Sequence, residues 1–222
     1  MTKIALGDCC ALMPRIPAGA VSFICTDPPY LVGYTDRSGR SIANDGAGDG
    51  AWLEPAFREM YRVLAPDSLA FCFYAWSRVD QFMAAWRHAG FRAVGHVTFV
   101  KSYGSSARFL SYRHENGYLL AKGQPKLPDN PPPDVQPFVY SGNGLHPTQK
   151  PVSALRPLIE AFCPPGGLVL DPFAGSASTG EAALRCGRRF VGIELDPNYH
   201  AAAVERIRQV RKDLGLDVPL AA

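Results

Sequence analysis

Four residues near the amino terminus, Asp27-Pro28-Pro29-Tyr30, combine types that could do chemistry on a flat, amine-bearing ring. The two prolines fix φ at consecutive positions and push the residue before them toward extended geometry, so the segment is stiff before any ligand arrives. An ionised Asp27 accepts hydrogen bonds, and so does the Pro28 carbonyl. Two acceptors can therefore face one NH2 group while Tyr30 offers a ring on which a planar base stacks. Taken alone, the tetrapeptide also fits a strand ending in a proline turn whose Asp caps backbone.

A second cluster lies far along the chain. Gly166-Gly167 turns into the apolar run Leu168-Val169-Leu170, which ends on Asp171. Phe173-Ala174-Gly175-Ser176 and the small residues through Gly180 let backbone approach a ligand closely. A helical stretch then runs to Gly187, and Arg189 to Ile193 forms another apolar strand ending on Glu194. Strand, small-residue turn, helix, strand and an acid 23 residues after Asp171 make the nucleoside-binding βαβ pattern, in which the final carboxylate holds ribose hydroxyls. A dinucleotide fingerprint would carry Gly where Ala177 stands, and there is no Gly-Lys-Ser/Thr for a triphosphate. Asp171 would repel a pyrophosphate and suits an ammonium partner.

Asp27-Pro28-Pro29-Tyr30 resembles the catalytic motif of the S-adenosylmethionine-dependent DNA amino-methyltransferases, which methylate adenine N6 or cytosine N4. Asp171-Pro172-Phe173-Ala174-Gly175-Ser176 resembles the cofactor motif of the same family, and His146-Pro147-Thr148-Gln149-Lys150-Pro151 is similar to the segment that precedes it. Catalytic motif first and cofactor motif last is the β-class order, and the resemblance runs from Ile4 to about Arg208. It implies a class I methyltransferase fold with permuted motif order and S-adenosylmethionine as methyl donor. Asp171 would then pair with the ammonium of the methionine moiety, Phe173, Ala174, Gly175 and Ser176 would line the donor, and Glu194 would bind its ribose. Thr148 and Lys150 match the segment that helps bind the donor, with Lys150 on the methionine carboxylate. Asp8, in Gly7-Asp8, matches a contact to the donor's adenine; read by itself it is a helix N-cap. His146, alone before Pro, reads as a hydrogen-bonded structural residue. Family members usually carry Gly at position 177, so Ala177 weakens donor binding if that position needs positive φ.

The elements that must position these residues alternate between strand and helix. Val21 to Cys25 reads as a buried strand after the turn-like Pro17-Ala18-Gly19, which sets Asp27 at its carboxyl end, where open α/β sheets bind ligands. Lys3 to Leu6 reads as a strand, and Cys9 to Met13 as a short helix stopped by Pro14 and Pro17. Helical spacing over Trp52 to Leu64 is followed by a strand over Ser68 to Tyr74, a helix over Ser77 to Ala89 ended by Gly90, and a strand over Phe91 to Val100. Helices are also expected over Pro151 to Phe162 and from Pro197 to about Leu214, the latter with Asp196 as N-cap. This alternation predicts an α/β fold, a Rossmann-like, doubly wound, mainly parallel sheet. Trp76 and Trp86 read as core, and Arg206, Arg208, Arg211 and Lys212 as a solvated face. The Gly-, Ser- and Asp-rich stretch Gly33 to Gly50 reads either as a loop closing over substrate or as an exposed connection.

With 222 residues, 47% of them hydrophobic, the chain can bury one sizeable core, and a single methyltransferase domain over 1–222 is expected. A formal net charge of +3 is mild, so polyanion binding must come from clustering. No sustained apolar run reaches membrane-spanning length, which reads as a soluble, cytoplasmic protein. The six cysteines form no Cys-x-x-Cys pair and read as reduced thiols, with no metal expected. Clustering occurs between Lys101 and Lys126, where Lys101, Arg108, Arg113, Lys122 and Lys126 face one acid, Glu115, and Tyr112 is among the interleaved aromatics. Lys101, Arg108, Tyr112, Arg113 and Lys122 are the candidate contacts to double-stranded DNA, in a short target-recognition insertion over 101–145; a half-buried hairpin with solvated cations is the plainer reading. Gly123 to Pro137 holds six prolines and reads as a semi-rigid connector. So short a reading segment makes a homodimer plausible. Adenine N6 is preferred over cytosine N4 as the target because relatives acting on cytosine more often carry Ser at the position of Asp27. A non-catalytic DNA-binding protein on the same scaffold is the alternative from another class.

Overall fold

Alternation along the strand that leads to Asp27 decides how the sheet is covered. A computed structural model describes residues 2–36, 39–46, 48, 50–104, 109–140, 142 and 144–216. Its strands are β1 (Thr2–Leu6), β2 (Val21–Thr26), β3 (Leu64–Phe73), β4 (Arg92–Lys101), β5 (His114–Lys122), β6 (Val135–Phe138), β7 (Leu168–Asp171) and β8 (Arg189–Glu194). The helices are α1 (Cys9–Leu12), α2 (Leu53–Val63), α3 (Val79–Ala89), α4 (Val152–Phe162), α5 (Ser178–Arg185) and α6 (Pro197–Asp213). On β2, Phe23 and Cys25 enter a core with α4, α5 and α6, while Ile24 enters a second core with α1, α2 and α3. Side chains of successive strand residues point to opposite faces, so a strand apolar at every position needs helices on both sides.

The strands form one sheet in the order β1-β8-β7-β2-β3-β5-β4-β6. Among these described strands only β5 runs against its neighbours, pairing antiparallel with β3 and β4. The doubly wound, mainly parallel sheet expected from the alternation is present. From β7 the chain passes through α5 to β8 on one side; from β2 it passes through α2 to β3 on the other. The winding therefore reverses between β7 and β2, and the loops leaving their carboxyl ends diverge to open a crevice.

Local chemistry explains the element ends. Asp196 caps α6 by accepting from the amides of Asn198 and Tyr199, with Pro197 in the first turn. Gly90 ends α3 at φ 101°. Some boundaries differ from expectation: β3 begins at Leu64 and runs through Pro66, where a strand starting at Ser68 is expected. The first α-helix ends at Leu12, Pro14 sits inside a 3-10 turn, Met13–Arg15, and the helical path stops at the extended Ile16 just before Pro17. The proline-rich stretch is not all connector, because Val135–Phe138 pairs as an edge strand with β4, a position that tolerates Pro137. Trp86 is buried as expected, but Trp76 is 60% exposed. Arg206 is not solvated: it braces α5 through Glu181 at 2.7 Å and Ser178 at 3.0 Å. All six cysteines are free, four of them buried.

Helix α5 lies so close to the sheet that a Cβ at Gly180 would stand 2.6 Å from the Phe190 ring and 2.8 Å from Ile207. Gly180→Ala should therefore lower stability by about 1–3 kcal/mol, read as a reduced urea midpoint at unchanged slope. An unchanged midpoint would show that the helix is free to lift.

Candidate active site

At the carboxyl end of β2, Asp27 is held from two sides. The Tyr30 hydroxyl donates to its Oδ1 at 2.7 Å, and the Lys150 ammonium donates to Oδ2 at 2.6 Å. Burial raises the Asp27 carboxyl above the ordinary carboxylate range, against the pull of Lys150 and the Tyr30 hydroxyl. On Lys150 burial opposes the charge, but Asp27 and Glu115 outweigh it and hold the ammonium above its ordinary value. At 2.6 Å the two side chains have the geometry of an ion pair. The turn after Asp27 is fixed by Asp45, a buried residue whose Oδ1 accepts from the Tyr30 amide at 2.5 Å and the Leu31 amide at 2.8 Å, and whose Oδ2 accepts from Tyr34 at 2.7 Å. Those bonds keep Leu31 at φ 60°, a left-handed conformation that a leucine does not adopt unaided. Nothing in the sequence separates Asp45 from the other acids of its Gly-rich loop.

The second half of the site lies one and two strands away, beyond β7 and β8. Glu194 ends β8 and accepts from Gly175 N at 2.7 Å and Asp196 N at 2.8 Å. Leu195 adds a third backbone interaction, and the remaining acceptor capacity of the carboxylate is open to a further donor. Phe173 packs against Trp52 at 4.9 Å, and Asp8, the N-cap of α1, stands on the same wall. A carboxylate with spare acceptors beside an aromatic face fits a nucleoside, so these residues suit S-adenosylmethionine. Asp171 does not reach the wall. It is 3% exposed and accepts from the Thr26 hydroxyl at 2.8 Å and from Phe173 N at 3.1 Å. Ala174 and Ser176 likewise lie beneath the surface, the latter within reach of Arg206.

One cleft of about 1300 Å³ takes in both halves: Asp27, Pro28, Pro29 and Tyr30 with Asp8, Thr148, Lys150, Phe173, Gly175 and Glu194. Lys150, expected on the methionine carboxylate, is engaged with Asp27 instead. His146 packs edge-on to Tyr199 at 4.4 Å, and burial, with Lys150 and Arg40 nearby, lowers it to about 4, so the ring is neutral near pH 7.

The basic segment divides. Lys101 lines the cleft but is buried and ion-paired to Glu115, so it is not set out for phosphate. Lys122 lies at the opposite end of β5, donating to the Tyr61 and Leu64 carbonyls at 2.6 Å each, and cannot serve the cleft. Arg113 is exposed at the hairpin top, and Arg108 lies outside the described residues. Tyr112 lines the cleft and stacks on Trp76, ring centroids 5.8 Å apart, so the tryptophan expected in the core is a rim residue.

The family model described as DNA methylase, covering N6 and N4 methyltransferases, matches residues 21–205. The chain belongs to the S-adenosylmethionine-dependent DNA amino-methyltransferases. YubD of Escherichia coli (strain K12), called a methylase with no base specified, is 55% identical over 212 residues, 96% of this chain and 92% of its own. The DNA adenine methyltransferase YhdJ of the same organism is 28% identical over 239 residues, 90% of this chain and 81% of its own. The M1.HpyAVI-SAM complex shares the fold with a TM-score of 0.74 at 22% identity, covering 93% of this chain and 99% of that one. So does the cytosine-N4-specific PvuII DNA methyltransferase, with a TM-score of 0.74 at 17% identity over 99% and 94%.

In this DNA methyltransferase Ala177 has φ 60° and is fully buried. Left-handed backbone costs Ala about 1–2 kcal/mol. Glycine would relieve that but lose a buried methyl worth about 0.8 kcal/mol and gain backbone entropy on unfolding worth about 0.5–1 kcal/mol. The sums nearly cancel, which explains how the methyltransferase tolerates Ala there.

Burial lifts the Asp171 carboxyl from 3.8 to about 7, against its bonds to Thr26, Thr179 and Phe173. Raised in the folded state, this group contributes stability that is complete below about pH 4 and is lost as pH rises through about 7. Asp171→Asn keeps an acceptor for Thr26 and removes the titration. Unfolding free energy of the unmodified enzyme should therefore fall relative to the variant by on the order of 4 kcal/mol between those limits. Parallel curves would contradict the burial argument.

Proposed function

We propose that this enzyme transfers a methyl group from S-adenosylmethionine to the N6 amine of an adenine turned out of double-stranded DNA. The observation that carries the reading is the single cleft shared by the Asp27 carboxylate and the Glu194 wall. When bound, S-adenosylmethionine would supply an electrophilic methyl group on a sulfonium, the S–CH3 bond breaking with its electron pair left on sulfur as a neutral thioether. Glu194 would hold its ribose, and Phe173 and Asp8, on the same wall of the cleft, would line its adenine.

An aromatic amine is a poor nucleophile because its lone pair is delocalised into the ring. Asp27 and the Pro28 carbonyl accept its two hydrogens, draw the nitrogen toward tetrahedral geometry and free the lone pair. Each bond to the charged group contributes roughly 1.5–3 kcal/mol, whereas holding two reactants aligned contributes about 7–11 kcal/mol. Positioning is the larger effect, which is why the stiffness given by Pro28, Pro29 and Asp45 matters. The proton that the nitrogen must lose passes to an Asp27 oxygen or to water. The base stacks on the Tyr30 face away from Lys150, whose ammonium is 5.4 Å from the ring centroid. Leaving the duplex costs a few kcal/mol, and stacking returns roughly 1–3 kcal/mol per base.

Adenine is favoured by Asp at position 27 and by the likeness to YhdJ. The fold is neutral on this point, since the PvuII enzyme shares it.

Mass spectrometry of nucleosides from DNA co-expressed with the enzyme should show N6-methyladenine, absent with Asp27→Ala even though that variant binds S-adenosylmethionine normally. N4-methylcytosine in its place would reassign the base, and full activity of the variant would remove Asp27 from the mechanism.

A further inference from the structure

We propose that Lys150 is a positioning residue for Asp27: a buried cation that keeps the acceptor carboxylate ionised and turned toward the cleft, and not a ligand of the methyl donor. This inference rests on Asp27 being the acceptor of the amine hydrogens.

The geometry is enclosed. The Lys150 side chain is 7% exposed, its Nζ stands 2.6 Å from Asp27 Oδ2, and it lies 4.9 Å from the Phe73 centroid as well as over Tyr30. With the ammonium set between two rings, its hydrogen bond goes to Asp27. A carboxylate has about four acceptor positions. Tyr30 and Lys150 occupy one on each oxygen of Asp27, which leaves one on each for an incoming amine.

The need for a cation follows from the surroundings. Among the ionisable groups around it besides Tyr30 and Lys150, Glu115 on β5 opposes the charge on Asp27, and Asp27 in turn raises Asp171 on β7 and the thiols Cys25 on β2 and Cys72 on β3. An isolated carboxylate in such a place neutralises itself by taking a proton. Protonated Asp27 would offer a donor where the amine also brings donors, and could not draw its hydrogens. Glu115, ion-paired to Lys101, is the second carboxylate that favours the charge on Lys150. The resulting row Asp27, Lys150, Glu115, Lys101 alternates in sign.

The test uses the protein without donor or DNA. Carbon-13 NMR of labelled aspartate carboxyls, with the Asp27 resonance assigned by its loss in Asp27→Asn, gives the titration midpoint of that group. In Lys150→Met the midpoint should rise by at least about one pH unit, a tenfold change in proton affinity, while the affinity for S-adenosylmethionine by calorimetry changes less than about threefold. Lys150→Gln, which keeps a hydrogen-bond donor but no charge, should show the same rise and serves if the Met variant does not fold. Single-turnover transfer to unmodified amplified DNA should regain about tenfold in rate per pH unit below the new midpoint. An unchanged midpoint overturns the inference, and an unchanged midpoint with donor affinity weakened tenfold or more returns Lys150 to the donor. If Asp27→Ala remains active while the midpoint still moves with Lys150, the ion pair stands and the catalytic assignment of Asp27 falls.

Discussion

The site depends on the parallel pairing of β2 with β7. Phe23 opposite Val169 and Ile24 opposite Leu170 put the ends of the two strands side by side, and the Thr26 hydroxyl closes the pair by donating to Asp171 at 2.8 Å. That bond joins residues 145 positions apart in the chain, at the point where the winding of the sheet reverses. A loop leaving β2 and a loop leaving β7 have nowhere to go but around the same crevice. Acceptor and donor halves meet for that reason, whatever their order in the sequence. Asp171 serves this junction from below, and the cleft wall above it is left to Phe173, Gly175 and Glu194.

The second organising feature is charge buried under the cleft. Placing ions out of water is costly, and it is sustained only where partners and hydrogen bonds are complete. Asp27 has Lys150 and Tyr30, and Glu115 has Lys101. The same row ties the β4–β5 hairpin, through Glu115 and Lys150, to the Asp27 carboxylate.

How much of this could be read beforehand varies with the range of the interaction. Asp27-Pro28-Pro29-Tyr30 and the run from Asp171 to Glu194 are local patterns on single strand ends, so the motifs, the parallel sheet and the family were legible. The Lys150–Asp27 pair spans 123 positions and involves a residue whose motif suggested a different partner. Lys101 and Lys122 look equivalent as charges in a row. Antiparallel pairing sends one to the cleft and the other to the far end of the sheet, and no count of basic residues distinguishes them. Trp76 follows an apolar strand and so resembled core, yet the strand stops at Phe73 and the ring lands on the rim. Asp45 has no local signature because its function is to accept amides from a turn 11 to 15 residues before it.

A crystal structure of the enzyme with S-adenosylmethionine tests the convergence of the two halves most directly. The account predicts the ribose on Glu194 and the methyl carbon directed at the space in front of Asp27 and Pro28, close enough that an amine nitrogen held there would lie about 3–3.5 Å from it. A donor bound away from Glu194, or with its methyl turned from Asp27 so that no nitrogen could reach both, would contradict it.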